Sequence, residues 1–236
     1  MNDDEPAAAP FAEDPAEGGV RRAGSWIATI GLAALTGAIT GAGVTAYELF
    51  TEKALYEQAL DLPPLAQTGL PLVGLVAAYL LLRYLAFGAS PSTSDEYVRA
   101  FHLPGEQMAP DPVAGRMAAG SATLGSGGAL GFEGPSLYLG ASIGSALQRR
   151  FASVFRRADA KTLIVAGAAA GVAAIFKTPA TGAVFALEVP YQDDTAHGYL
   201  LPALTGAATG YLIQVAILGT QPLFPVRGQP PFDLRE

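Results

Sequence analysis

Apolar residues along this chain come in long stretches unbroken by charge, and those stretches set the elements to expect. No Asp, Glu, Lys or Arg occurs in 23–47, 62–82, 117–132, 134–148, 162–176 or 195–226. A helix that crosses a bilayer needs roughly 20 mainly apolar residues. The segments Ser25–Tyr47, Leu70–Phe87 and Tyr199–Gly219 meet that requirement. The other stretches are shorter, and single charges or Pro and Gly separate them, which predicts half-helices that meet inside the bilayer. A soluble bundle would need a polar stripe on each helix, and the segment LIVAGAAAGVAAIF has none. Trp26 and Tyr47 fit interfacial anchors at the two ends of the first span. Glycines recur at GxxxG spacing at Gly37/Gly41, Gly127/Gly131, Gly140/Gly144, Gly167/Gly171 and Gly206/Gly210. In lipid such small-residue faces let helix backbones approach closely, so a tightly packed all-α membrane bundle is expected.

Charge sharpens this picture. The chain has 236 residues, half of them hydrophobic and only 15% charged, with 21 acids, 14 bases and a net charge of −7. Asp3, Asp4, Glu5, Glu13, Asp14 and Glu17 lie in the first 19 residues without any base, so the remainder is nearly neutral. Residues 1–22 therefore read as a disordered acidic tail, and residues 220–236, with their prolines, as an exposed loop or a truncated end. The acidic start is not a signal peptide, which needs a basic first region. Nothing basic enough to hold nucleic acid is present, and the absence of cysteine excludes disulfides and thiolate metal sites. Arg21 and Arg22 precede the first span, and Arg149, Arg150, Arg156, Arg157 and Lys161 cluster in one loop, whereas 48–69 carries Lys53 among acids. The positive-inside tendency then places the N-terminus and the 149–161 loop in the cytoplasm.

Charges inside apolar segments are costly and mark function; Glu133, Lys177 and Glu188 stand out. Gly131, Gly134 and Pro135 bracket Glu133, and a proline suits the first turn of a helix. A helix over 135–148 would thus begin within the membrane, with free N–H groups and its positive dipole end forming an anion site. Glu133 is itself an anion there, able to occupy the site, swing away or take up a proton. A capping role without transport is the simpler alternative. Lys177 and Pro179 interrupt a second apolar stretch in the same way; Lys177 would attract anions or pair with an acid such as Glu188. The segment GASPSTSDEYVRAFH (88–102) reads as a turn into a helix capped near Ser92, Thr93 or Ser94. Gly41, Gly43 and Ala46 match a dinucleotide fingerprint but follow no strand. His102 and His197 lack metal-ligand company, and no nucleophile–base set is visible, so neither a metal, a cofactor nor an enzymatic role is expected.

The segment GFEGPSLYLGASIG resembles the GxEGP signature of CLC chloride channels and chloride/proton antiporters, and AGAAAGVAAIFKTPATGAVFALE resembles a second hallmark of the same family. The resemblance covers about residues 25–220. It implies a CLC-like bundle of tilted and broken helices assembled as a homodimer, each subunit with its own pore. Glu133 matches the gating glutamate, and the backbone around Gly131, Phe132, Gly134 and Pro135 matches part of the anion-coordinating shell. The family's pore serine falls on Ser92, with Ser90 as the alternative, although the surrounding Gly–Ile–Pro is absent. Antiporters carry a second glutamate directly after the position of Glu188; here it is Val189, which cannot carry a proton and favours channel-like conduction. The expected function is chloride conduction gated by Glu133, with proton-coupled chloride or fluoride exchange as the alternative and a non-transporting membrane scaffold as a third reading. The family fold has two inverted repeats, and this chain resembles the first, so a second pore half must come from a longer chain, another chain or another copy. A partial sequence is the favoured explanation.

Overall fold

A computed structural model describes residues 19–103, 107–155, 161–191 and 194–220, with side chains from Trp26 onward. Among the described residues the structure is helical, without strands. The helices are α1 (Gly19–Thr51), α2 (Glu57–Leu60), α3 (Pro64–Tyr84), α4 (Thr93–His102), α5 (Val113–Gly125), α6 (Glu133–Arg150), α7 (Thr162–Phe176), α8 (Pro179–Glu188) and α9 (Leu200–Leu218). A π-helical turn, Glu52–Tyr56, joins α1 to α2. Three continuous helical stretches, Trp26–Leu60, Pro64–Tyr84 and His197–Leu218, are long and apolar enough to cross a membrane.

These spans correspond to the three long uncharged stretches, with shifted ends. The first runs on past Tyr47 because Glu48, Glu52, Lys53 and Glu57 are good helix formers that sit at its end without breaking it. It also starts at Gly19, so it takes in the last four residues of the expected tail; residues 1–18 and 221–236 lie outside the described residues. The second span begins six residues before Leu70. Pro64 occupies its first turn, and Gln67 reaches back to donate to the carbonyls of Leu60 (2.7 Å) and Leu62 (2.8 Å). That bridge satisfies carbonyls left free at the end of α2.

The centre of the bundle is α7. Every residue from Thr162 to Ile175 is buried, and α6, α8, α9 and α1 enclose it. Glycine makes the enclosure possible. A Cβ on Gly140 would lie 2.7 Å from the Gly167 carbonyl carbon, and one on Gly144 would lie 2.5 Å from that of Leu163. On the other side, a Cβ on Gly41 of α1 would lie 2.5 Å from the Gly210 carbonyl oxygen of α9, and Gly206 abuts Ala166 of α7. Four of the five GxxxG pairs therefore form helix crossings. The fifth, Gly127/Gly131, does not: both residues lie in the connection from α5 to α6, where Gly127 has φ +84°.

Candidate functional site

The chain stops being helical at Ser126 and resumes at Glu133. Phe132 is the N-cap residue of α6, and Pro135 sits in the first turn, where its missing N–H costs nothing. Ser136 N–H already donates to the Phe132 carbonyl (2.9 Å). The N–H groups of Glu133 and Gly134 have no acceptor within the helix, as the geometry of a helix start requires. The 18-residue α6 directs its positive dipole end at the same spot.

That spot opens into a cavity of about 790 Å³ lined by α3, the 88–93 segment, α5 and the start of α6. Ser90, Thr93, Arg116, Gly131, Glu133, Gly134 and Pro135 border it together. Glu133 is half-buried, and its carboxylate has no hydrogen bond or ion pair among the described residues. It folds back over Gly131: a Cβ there would sit 2.7 Å from Glu133 Cδ and closer still to a carboxylate oxygen. Gly131 thus leaves room for this carboxylate position. Gly134 does the same for Thr93, whose Oγ1 would lie 2.7 Å from a Cβ at 134.

The remaining expected residues lie as follows. Ser92 is the N-cap residue of α4 without a side-chain cap bond, and its N–H donates to Ser90 Oγ (3.1 Å). Thr93, not Ser92, borders the cavity. The Phe132 ring turns away from the cavity and meets Tyr47 edge-on at 5.8 Å. Lys177 ends α7 in the left-handed conformation, φ +55°, with Pro179 opening α8. An acid whose charge reaches Lys177 is Glu48 of α1, which also accepts from buried Gln214 of α9 (2.6 Å). Glu188 is not that partner: it is the exposed last residue of ten-residue α8, about 15 Å further along the helix axis. Val189 follows it, packed against the main core cluster and remote in sequence and helix position from Glu133.

The residue missed in the sequence is Arg116. It is 6% exposed, yet it borders the cavity from α5. Its Nη2 pairs with Glu96 of α4 (2.9 Å), its Nε donates to the Ser90 carbonyl (3.1 Å), and its guanidinium lies 4.7 Å over the Tyr138 ring of α6. Nη1 has no partner among the described residues. One cation thereby ties α4, α5, α6 and the 88–92 turn together and places positive charge on the cavity wall. Removing one member of a buried pair costs about 3–5 kcal/mol because the other charge is stranded. Arg116→Met is therefore expected to lower the unfolding temperature in detergent clearly, with Glu96→Gln in the same protein recovering part of the loss. An equal loss in the single and double variants would show that the pair is not the cause.

An all-helical bundle with three helices long and apolar enough to cross a membrane defines the class of an integral membrane protein. A model of the family described as "Voltage gated chloride channel" matches residues 73–236, and the chain belongs to that family. It is 37% identical over 101 residues to the H(+)/Cl(-) exchange transporter ClcA of Cronobacter sakazakii, covering 42% of this chain and 20% of that protein. It is 34% identical over 122 residues to chloride channel protein CLC-e of Arabidopsis thaliana, covering 48% of this chain and 16% of that protein. The crystal structure of a CLC-type fluoride/proton antiporter superposes with a TM-score of 0.70 at 28% identity, over 89% of this chain and 51% of that one. The chain thus spans about half of that solved structure and less of the two curated relatives.

Proposed function

We propose that this chain supplies one half of an anion pathway through a membrane, with Glu133 as its gate. The observation that carries the reading is a carboxylate at a helix start, folded over Gly131 and without a hydrogen-bond or ion-pair partner among the described residues, inside a cavity it shares with a buried arginine. A carboxylate there competes with a diffusing anion for the same donors. Gly131, Phe132, Gly134 and Pro135 shape that helix start, and Thr93, Ser90 or Ser92 adds hydroxyls beside it. Chloride is the anion expected from the named relatives. The missing half of the coordination shell comes from a second repeat, and two such units form a homodimer. The N-terminus and the Arg149 end of α6 face the cytoplasm by their bases.

A second reading is proton-coupled exchange. It is favoured by the names of ClcA and of the fluoride/proton antiporter, against which stands Val189. The deciding measurement uses liposomes containing the full-length protein and a chloride gradient. Uphill proton movement driven by chloride establishes exchange. Chloride flux without it establishes a passive pathway, and no chloride flux at all refutes both.

A further inference from the structure

Two charged features have no part in the anion pathway: the acids that precede α1 and the arginines that end α6. Phe132, just before α6, meets Tyr47 near the far end of α1, whereas Leu147 packs on the cluster that holds Ala33, nearer its beginning. The two helices therefore run antiparallel, and Arg149 and Arg150 lie at the same end of the bundle as the start of α1. Both arginines are exposed. Arg149 donates to Gln107, the Met108 carbonyl and Ser145, all of them uncharged. Arg150 lies 5.6 Å over the Phe151 ring. Neither meets an acid among the described residues. The negative end of the α6 dipole favours cations there, but it leaves their outward faces open. The acids show the opposite excess. Asp3, Asp4, Glu5, Glu13, Asp14 and Glu17 precede α1 without a base, and Arg21 and Arg22 can offset only two of them.

We propose that residues 1–18 dock on the Arg149–Arg150 rim of their own chain, held by charge. The distances suit this. Leu32, which packs on the same cluster as Leu147, is thirteen residues into α1, about 20 Å along its axis. Arg150 is three residues beyond Leu147, about 5 Å back toward the start of α1. About 15 Å therefore separates the rim from Gly19. Asp14 and Glu13 stand five and six residues before Gly19, and an extended chain of that length covers about 17–20 Å. Glu17 is too near α1 to reach the rim, while Asp3, Asp4 and Glu5 have length to spare. Exposed ion pairs are individually weak, but a short tether holds the acids at high local concentration and lets several act together. Anionic lipid headgroups share the chemistry of the tail. The tail is favoured because it is attached within reach and its excess of acid matches the rim's excess of base. The inference is independent of the anion pathway.

The test uses the full-length protein in phosphatidylcholine vesicles, with benzoylphenylalanine in place of Phe11, two residues from Glu13. Illumination at about 10 mM salt is expected to link position 11 to residues 146–155. At about 1 M salt the screening length falls from about 30 Å to about 3 Å, and the yield is expected to fall about fivefold, the scale of one exposed ion pair. This comparison needs no further substitution. Arg150→Glu, whose side chain packs only on Phe151 among the described residues, is expected to give the same fall at low salt. Adding Glu13→Lys and Asp14→Lys to Arg150→Glu is expected to restore the link. A yield that ignores both salt and Arg150→Glu overturns the docking. Linkage to lipid overturns it in favour of a lipid-facing tail, and linkage to a second copy, read from protein mixed with isotope-labelled chains, overturns docking within one chain.

Discussion

Glu133→Gln is expected to abolish the pH dependence of anion flux and to strengthen anion occupancy at the start of α6 by about tenfold. The tenfold figure follows from a charge at a helix start, which is worth about 0.3–1 kcal/mol when exposed and up to about 2 kcal/mol when partly buried, with 1.4 kcal/mol equal to a factor of ten. In the parent, the charged Glu133 side chain stands in the cavity beside the donors that an anion needs, and Gly131 provides the space it fills. Uptake of a proton removes its claim on those donors, so parent flux rises as pH falls. A glutamine carries no charge at any pH, so its weaker hold on those donors does not change with pH, and the flux becomes flat and high. Glu133→Ala should behave alike and additionally empties the space over Gly131. Flux measured across a pH series in liposomes decides the matter: if both variants retain the parent profile, Glu133 is a helix cap and not a gate.

The second large effect concerns the α6–α7 crossing. Gly144→Val is expected to prevent accumulation of folded protein, whereas Gly43→Ala is expected to be silent. A first side-chain carbon at Gly144 would collide with the Leu163 carbonyl and lie 3.0 Å from the Ile164 nitrogen, so backbone and not a flexible side chain would have to move. Overpacking a core costs about 1–3 kcal/mol where side chains can yield, and here none can. At Gly43 the nearest atoms are the tips of Ile143 and Leu139, 3.6 Å away. Yield of monodisperse protein in detergent, with its unfolding temperature, separates the two. A stable Gly144→Val protein would mean that the helices do not cross this closely.

The spans, the break before α6 and the break at Lys177 were legible in the sequence, because charge and proline placement report directly on lipid exposure and on helix starts. What the pattern could not report was pairing over distance. Arg116 stands one position outside the uncharged stretch 117–132, and nothing near it in the chain reveals that its partners are Glu96, Ser90 and Tyr138. Proximity along the chain offers Glu188 as one partner for Lys177, but a ten-residue helix separates them, and the charge of Glu48 reaches Lys177 from α1. The early start of α3 depends on a single glutamine side chain serving two carbonyls. The Gly127/Gly131 spacing imitated a helix face because spacing alone carries no information on φ.

The burial of α7 from Thr162 to Ile175 bears on how the polypeptide enters a bilayer. At 15 residues this helix is too short to cross by itself, and its sides are covered by protein rather than acyl chains. Its insertion free energy is therefore realised only when α1, α6, α8 and α9 have gathered around it. Biogenesis of this half should proceed in two stages, with the long apolar spans partitioning individually and the α6–α7–α8 unit lodging among them afterwards. Stalled nascent chains that end before α9 should leave α7 accessible to aqueous labelling reagents.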